Sequence, residues 1–257
     1  MDILSSINDG ILTLEFNRPE RKNAITAEMY QLMADALNDA EGNADVRAIL
    51  IVGKPEIFTA GNDLEDFMKN APSSGAIEDR SVYKYMMALS GSTKPIVAAV
   101  SGNAVGIGTT LLMHCDLVYA ADNAKFSMPF VQLGLCPEFG SSLLLTQIAG
   151  YPRAAEKLML GEAFGAQEAL EMGLVSKVLP VDELRAFAEG QAAKLVALPA
   201  SSIRVTKELM KAARKATVSE AIAAENIHFG KMLSSPEARE AFMAFFQKRK
   251  PDFKQFS

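Results

Sequence analysis

Apolar residues fall along this chain in two alternating kinds of run, short continuous blocks and stripes at helical spacing. Ile11-Leu12-Thr13-Leu14-Glu15-Phe16 alternates apolar and polar positions, the pattern of a strand with one buried face, and Asn17-Arg18-Pro19 ends it because proline cannot continue a ladder. A helix follows, with Thr26 as N-cap, Glu28 in the first turn, and Met29, Tyr30, Met33 and Leu37 along one stripe. Residues 48–53 and 95–100 are continuous apolar blocks, as strands covered on both faces require. Residues 116–120 and 124–128 add strands, and the helical sequence between these blocks makes the first half an α/β arrangement.

Beyond Gly150 the pattern turns helical, over 154–160, 166–171, 181–195, 203–213, 218–233 and 237–248, with one short strand at 175–179. No Ser/Gly linker or charge run separates the halves, so the pattern predicts one domain with a helical C-terminal extension. No internal sequence repeat is visible. Ala71-Pro72-Ser73-Ser74-Gly75 reads as a flexible connector ahead of a helix from about Asp79, of the kind that either covers a site or links two elements.

Composition narrows the class. With 257 residues, 49% hydrophobic and 22% charged, the chain can bury a substantial core and reads as a globular protein. A net charge of −5 argues against a general nucleic-acid binder, the densest basic cluster being Lys248-Arg249-Lys250. Two cysteines, Cys115 and Cys136, make no disulfide framework. The first residues lack the basic start of a signal peptide, and no run approaches the roughly 18 apolar residues of a membrane span. The last four, Lys254-Gln255-Phe256-Ser257, are not a Ser-Lys-Leu type signal, so a cytoplasmic location is expected.

The chemistry concentrates at two corners. The strand at 95–100 runs into Ser101-Gly102-Asn103-Ala104-Val105-Gly106-Ile107-Gly108-Thr109-Thr110, where glycines leave main-chain N–H groups reachable and a helix at about 109–115 would add its positive end. Such a turn holds an anion, either a phosphate or an oxyanion formed during reaction. Phosphate loses ground: there is no P-loop lysine, and Leu111 stands where a dinucleotide fingerprint needs glycine or alanine. A second corner, Phe58-Thr59-Ala60-Gly61-Asn62-Asp63-Leu64, supplies another set of free N–H groups, although glycines at both corners also serve simply to end strands. There is no G-x-S-x-G elbow, and His114 beside Cys115 lacks the spacing of a metal site, so a serine hydrolase and a metalloenzyme are disfavoured.

Together these residues resemble the crotonase superfamily of enoyl-CoA hydratases and isomerases. The likeness spans the chain: Asn17-Arg18-Pro19 with Asn23-Ala24, the corner 58–64, the turn 102–108, Cys115-Asp116-Leu117 and Gly173-Leu174-Val175. The resemblance implies an α/β, ClpP/crotonase-like spiral of ββα units over residues 1–198. A helical trimerisation region over 199–257 would follow, and a homotrimer or a hexamer made of two trimers. It implies an acyl-CoA substrate, with no metal and no cofactor beyond the CoA that the substrate carries. The thioester oxygen would be held by the main-chain N–H groups of Asn62 and Ile107, and CoA by Lys22, Asn23, Ala24, Ala60, Asp63 and Leu64, with Phe246 and Lys248 supplied by a neighbouring subunit. Because those two donors are main-chain groups, isoleucine at 107 does not disable the pair.

The acids decide the reaction. By resemblance, the two hydratase glutamates fall on Thr110 and Phe130, neither of them acidic, which disfavours a two-glutamate hydratase. Gly134-Leu135-Cys136-Pro137-Glu138-Phe139-Gly140-Ser141-Ser142 resembles the segment of Δ3,Δ2-enoyl-CoA isomerases that carries their single glutamate, which makes Glu138 the candidate base. Leu135 and Phe139 would desolvate it and raise its proton affinity, whereas a solvated turn acid ahead of the helix 141–148 is the plainer alternative. Val82, Tyr83, Met86 and Met87 line an acyl pocket or belong to the core. Two other readings stay open: a hydratase or another crotonase-type acyl-CoA reaction, and a non-catalytic CoA-binding or RNA-binding protein.

Overall fold

The computed structural model describes residues 1–69 and 77–256, so the connector 71–75 lies outside the described residues. The chain opens with a hairpin, β1 (Ile3–Asn8) and β2 (Ile11–Phe16), turned at Asp9 and Gly10, both at positive φ, the geometry that matches strand twist in a two-residue turn. β3 (Ala48–Val52) pairs parallel with β2 and is buried along its whole length. From Val52 the chain leaves this sheet, and β4 (Ile57–Thr59) starts a second one. The same step recurs from β5 (Ile96–Val100) to β6 (Asn103–Val105), and from β7 (Leu117–Ala121) to β8 (Lys125–Ser127). β9 (Phe164–Gly165) closes the second sheet antiparallel to β8, and β10 (Lys177–Leu179) pairs parallel with β7. The orders are β1-β2-β3-β5-β7-β10 and β4-β6-β8-β9.

Each step ends in helical chain, which makes successive ββα turns of a spiral: Leu64–Lys69 and Ser81–Gly91 after β4, Ile107–Thr110 after β6, Ser141–Ala149 after β8. No sequence repeat accompanies this structural one, because strands of three residues constrain few positions. The segment 101–106 is accordingly more than a turn: it contains β6, whose alternation is too short to read. The glycine at 102 is what lets the sheets meet, since at φ +66 a Cβ there would sit 1.9 Å from the Glu56 carbonyl oxygen.

Along its central strands β3, β5 and β7 the larger sheet buries both faces. One carries the principal core, where the helix Ala27–Gly42, capped by Thr26 Oγ1 accepting from Met29 N at 3.3 Å, lays Met29, Tyr30, Met33 and Leu37 inward. The other packs Leu50, Val52, Val97, Ala99 and Tyr119 against Leu184, Ala188 and Ala192 of the helix Val181–Ala197. The last three long helices, Ala200–Ala212, Lys215–Met232 and Pro236–Phe246, return to the first part of the chain. Lys207 makes a buried ion pair with Asp116 at 2.7 Å, and Ile222, Ala238 and Phe242 enter the principal core. No described helix is long and apolar enough to cross a membrane.

Candidate active site

Two corners face one cavity of about 970 Å³, whose wall includes Ala60, Gly61, Asn62, Val105, Gly106 and Ile107. Glycine is what brings them together. Gly61, at φ +82, leaves room where a Cβ would lie 2.7 Å from the Val105 carbonyl, and a Cβ on Gly108 would lie 2.5 Å from Thr59 Cγ2. Gly106 adopts φ 56, ψ −119, a conformation open to glycine.

Among the described residues, neither Asn62 N–H nor Ile107 N–H donates to a protein acceptor. The physical reasons differ. Asn62 lies in a parallel bridge to Ile25 in which Ile25 N donates to Gly61 O and Asp63 N donates to Ile25 O, so its own N–H points the opposite way. Ile107 opens a helix, where the first N–H groups have no partner within the helix. That helix has only four residues before tightening into the 3₁₀ turn Leu111–His114, so the donor itself matters more than any dipole. The Asn62 side chain is held as well, its Oδ1 accepting from Tyr30 Oη at 2.5 Å.

Glu138 is 4% exposed, so the solvated-turn alternative does not hold. Its Oε1 accepts from Thr110 Oγ1 at 2.5 Å. Burial raises its pKa to about 8, with the Thr110 hydrogen bond acting downward and the nearby Glu225 charge acting upward. Glu138 borders a smaller cavity, of about 60 Å³, together with Arg80, Val82, Tyr83, Met86, Asn226 and Leu233. Asn62 and Phe229 belong to the walls of both cavities, so the cavity that Glu138 borders adjoins the corner that carries one free N–H. Phe130 lies on the large-cavity side, its ring 4.0 Å from where a Gly106 Cβ would stand.

The remaining predicted residues separate into groups. Lys22, Ala24, Ala60, Asp63 and Leu64 line the large cavity. Asn23 does not, because it is fully buried as a structural tie: its Oδ1 accepts from Arg18 N at 2.8 Å, and its Nδ2 donates to the Ile57 and Phe58 carbonyls at 3.2 and 3.0 Å. Asp63 lines the wall while capping the next helix through Glu65 N and Asp66 N, both at 3.1 Å. Burial acts upward on its carboxyl, but the Arg18 guanidinium at 2.7 Å, the Asp66 N–H and the Arg21 charge together outweigh it and hold the group below its ordinary range. Phe246 lines the cavity from the chain's own helix Pro236–Phe246. That helix is seated where a Gly134 Cβ would lie 2.7 Å from Ala238 N. Lys248 does not line the cavity; Arg249 and Lys250 do. Of the candidate acyl-pocket residues, Met87 borders a different cavity, beneath the helix Ala200–Ala212.

Sequence reasoning missed Tyr30, Glu225 and Asn226 as site residues. Tyr30 reads only as one member of a core stripe, and an acid and an amide within the long helix Lys215–Met232 carry no local signal. His114, read as a packing residue, is buried and neutral, burial lowering its pKa to about 3, and its Nε2 meets the Phe139 carbonyl at 2.8 Å. Among the described residues no group of three or more His, Cys, Asp or Glu could hold a metal ion.

A mostly parallel two-sheet spiral with two free N–H groups on one cavity and the buried Glu138 on the adjoining one defines a class of protein suited to stabilising charge on a carbonyl oxygen. Residues 6–256 match the family model described as enoyl-CoA hydratase/isomerase, and the chain belongs to that family. A solved enoyl-CoA hydratase/isomerase from Pseudoalteromonas atlantica T6c superposes with a TM-score of 0.94 at 39% identity, over 98% of this chain and 100% of that one. The 1,2-epoxyphenylacetyl-CoA isomerase of Escherichia coli (strain K12) is 34% identical over 98% of this chain and 97% of its own length. Enoyl-CoA delta isomerase 2 of Rattus norvegicus is 38% identical over 81% of this chain and 54% of its own length.

Proposed function

We propose that this protein is a Δ3,Δ2-enoyl-CoA isomerase with Glu138 as its base. The observation that carries this reading is Glu138, a buried carboxyl group with its pKa raised to about 8, bordering a cavity whose wall Asn62 shares, while by resemblance Thr110 and Phe130 hold the positions of the two hydratase acids. Ionised Glu138 takes the C2 proton of a 3-enoyl thioester, and the electron pair moves onto the thioester oxygen. The N–H groups of Asn62 and Ile107 stabilise that dienolate more than the neutral carbonyl, since charge develops only as the proton leaves. The protonated acid then returns its proton at C4, which yields the 2-enoyl thioester and regenerates the base. A proton affinity near neutrality suits a group that must both accept and donate.

Arg21, Lys22, Arg249 and Lys250 place cations around the large cavity, in keeping with the phosphates of CoA outside and an acyl chain inside. A homotrimer, or a hexamer of two trimers, belongs to the same proposal. Val205, Leu209 and Met210 lie half or more exposed on the helix Ala200–Ala212, an apolar surface that such assembly would cover.

Glu138→Gln tests the reading. Isomerase turnover on 3-enoyl-CoA is expected to fall about 10²–10⁴-fold, with CoA affinity and the fold retained. Undiminished turnover overturns the role of Glu138. A hydratase reading is favoured by relatives such as the 2,3-dehydroadipyl-CoA hydratase of Escherichia coli (strain K12), 29% identical. Separate incubations with 2-enoyl-CoA and 3-enoyl-CoA discriminate the two reactions, and thermal stabilisation by acyl-CoA without turnover on either would identify a non-catalytic binder.

A further inference from the structure

We infer that Glu225 is the positioning residue for Glu138: its carboxylate, delivered by the helix Lys215–Met232, fixes the main chain of the segment 138–142 that carries the base. The inference rests on the proposed role of Glu138. Phe139 and Gly140 stand consecutively at φ +58 and +74, a left-handed pair that a phenylalanine adopts only when its surroundings impose it. The helix Ser141–Ala149 starts without a local side-chain cap, its N-cap being Gly140. Glu225 takes that place from 85 residues away. Gly140 N donates to its Oε2 at 2.5 Å, and Ser142 N and Ser142 Oγ donate to its Oε1 at 2.9 and 2.5 Å. Ser141 passes the grip back to the base, its N and Oγ donating to the Glu138 carbonyl at 3.1 and 2.7 Å. On the opposite side His114 holds Phe139, through its carbonyl and by ring stacking at 3.9 Å. Three donors converge on one carboxylate, whereas an amide presents an acceptor at one end only.

The experiment compares Glu225→Gln, Ser142→Ala and Glu138→Gln in the full-length protein. For Glu225→Gln, kcat on 3-enoyl-CoA is expected to fall about 10–100-fold with KM little changed, as for a reacting group displaced by a fraction of an ångström. The second readout is the titration of the Glu138 carboxyl, followed by carbon NMR without substrate. Tyr30, Tyr85, Cys136 and Glu225 are the titratable groups that act on it or feel its charge. Losing the Glu225 charge therefore moves that titration to lower pH, which a purely structural role would not do. Ser142→Ala, which removes one donor of three, is expected to lower kcat several-fold and keeps the inference testable if Glu225→Gln does not fold. Wild-type kcat in folded Glu225→Gln or in Ser142→Ala, with Glu138→Gln inactive, overturns the positioning role alone. Full activity in Glu138→Gln overturns the reading on which it rests.

Discussion

The site joins two regions built in opposite ways. The corners that carry Asn62 and Ile107 are main-chain structures, set by glycines at 61, 106 and 108 that act within a few residues of the groups they free. The segment that carries Glu138 is a side-chain structure, held by Thr110 and His114 from the helical stretch 107–114 and by Glu225 from the helix Lys215–Met232. Donors that act through N–H groups need only backbone shape, so their local glycines suffice. A base that must keep a raised proton affinity and a fixed position needs burial and several partners, and those come from tertiary structure.

The sharpest way to break the first region is Gly61→Ala. The new Cβ would lie 2.7 Å from the Val105 carbonyl, a backbone atom unable to swing aside, at a φ of +82 that alanine avoids. The two corners must then separate, and kcat is expected to fall about 10²–10³-fold, as when one oxyanion donor is lost. Stability is expected to drop by about 1–3 kcal/mol. Gly42→Ala is the control, since nothing lies within 4 Å of its Cβ position and its φ is not positive. Steady-state kinetics and thermal melts of the pair check both expectations, and a Gly61→Ala enzyme with wild-type kcat would show that the corner geometry is not needed for turnover.

The same contrast explains what was legible in the chain. Strands β3 and β5 stood out because both faces are buried, which makes every position apolar, and the helix Ala27–Gly42 because Thr26 and a regular stripe mark it. β4, β6 and β9 did not, since two or three residues cannot establish a period. Both corners were visible, the turn 102–108 by its three glycines and the corner 58–64 by the small residues around Gly61. Asn23 entered the binding set through the resemblance, as a main-chain contact, and its buried side chain serves the fold through hydrogen bonds to residues 18, 57 and 58, the last two too far along the chain for spacing to show. Glu225 was invisible for the same reason, 83 and 85 residues from what it holds.

A second test weighs what the buried acid costs the fold. Glu138 has a pKa of about 8 in the folded protein, against an ordinary value near 4.5, because burial disfavours its charge. Between those values the folded state holds a proton that the unfolded state has released, so stability is fully present below about pH 4.5 and is lost as pH rises through about 8. Glu138→Gln has no such proton. It is expected to match the parent near pH 4.5 and to be the more stable by a few kcal/mol at pH 8 and above. Denaturant unfolding of both proteins across that range checks it. A gap that stays constant with pH would mean that the carboxyl group is not desolvated.

The smallest of the expected effects isolates the side chain that donates to the carboxyl group of the proposed base. Thr110 is fully buried, and its hydroxyl donates to Glu138 Oε1 at 2.5 Å, which favours the ionised acid and partly offsets the burial that raises its pKa. Thr110→Val keeps the branched shape and removes the donor, so the Glu138 pKa moves further up. In the proposed mechanism the base must be ionised to accept the C2 proton, so the rising limb of kcat against pH shifts in the alkaline direction. One pKa unit corresponds to about tenfold in rate on that limb and to almost nothing on the plateau above it. The expected result is therefore an activity several-fold to about tenfold lower at neutral pH that recovers as the pH is raised, with little change in KM. A uniform loss at all pH values would instead mean that Thr110 aims the carboxyl group rather than setting its charge, which would make the base as dependent on fixed geometry as the glycine corners are.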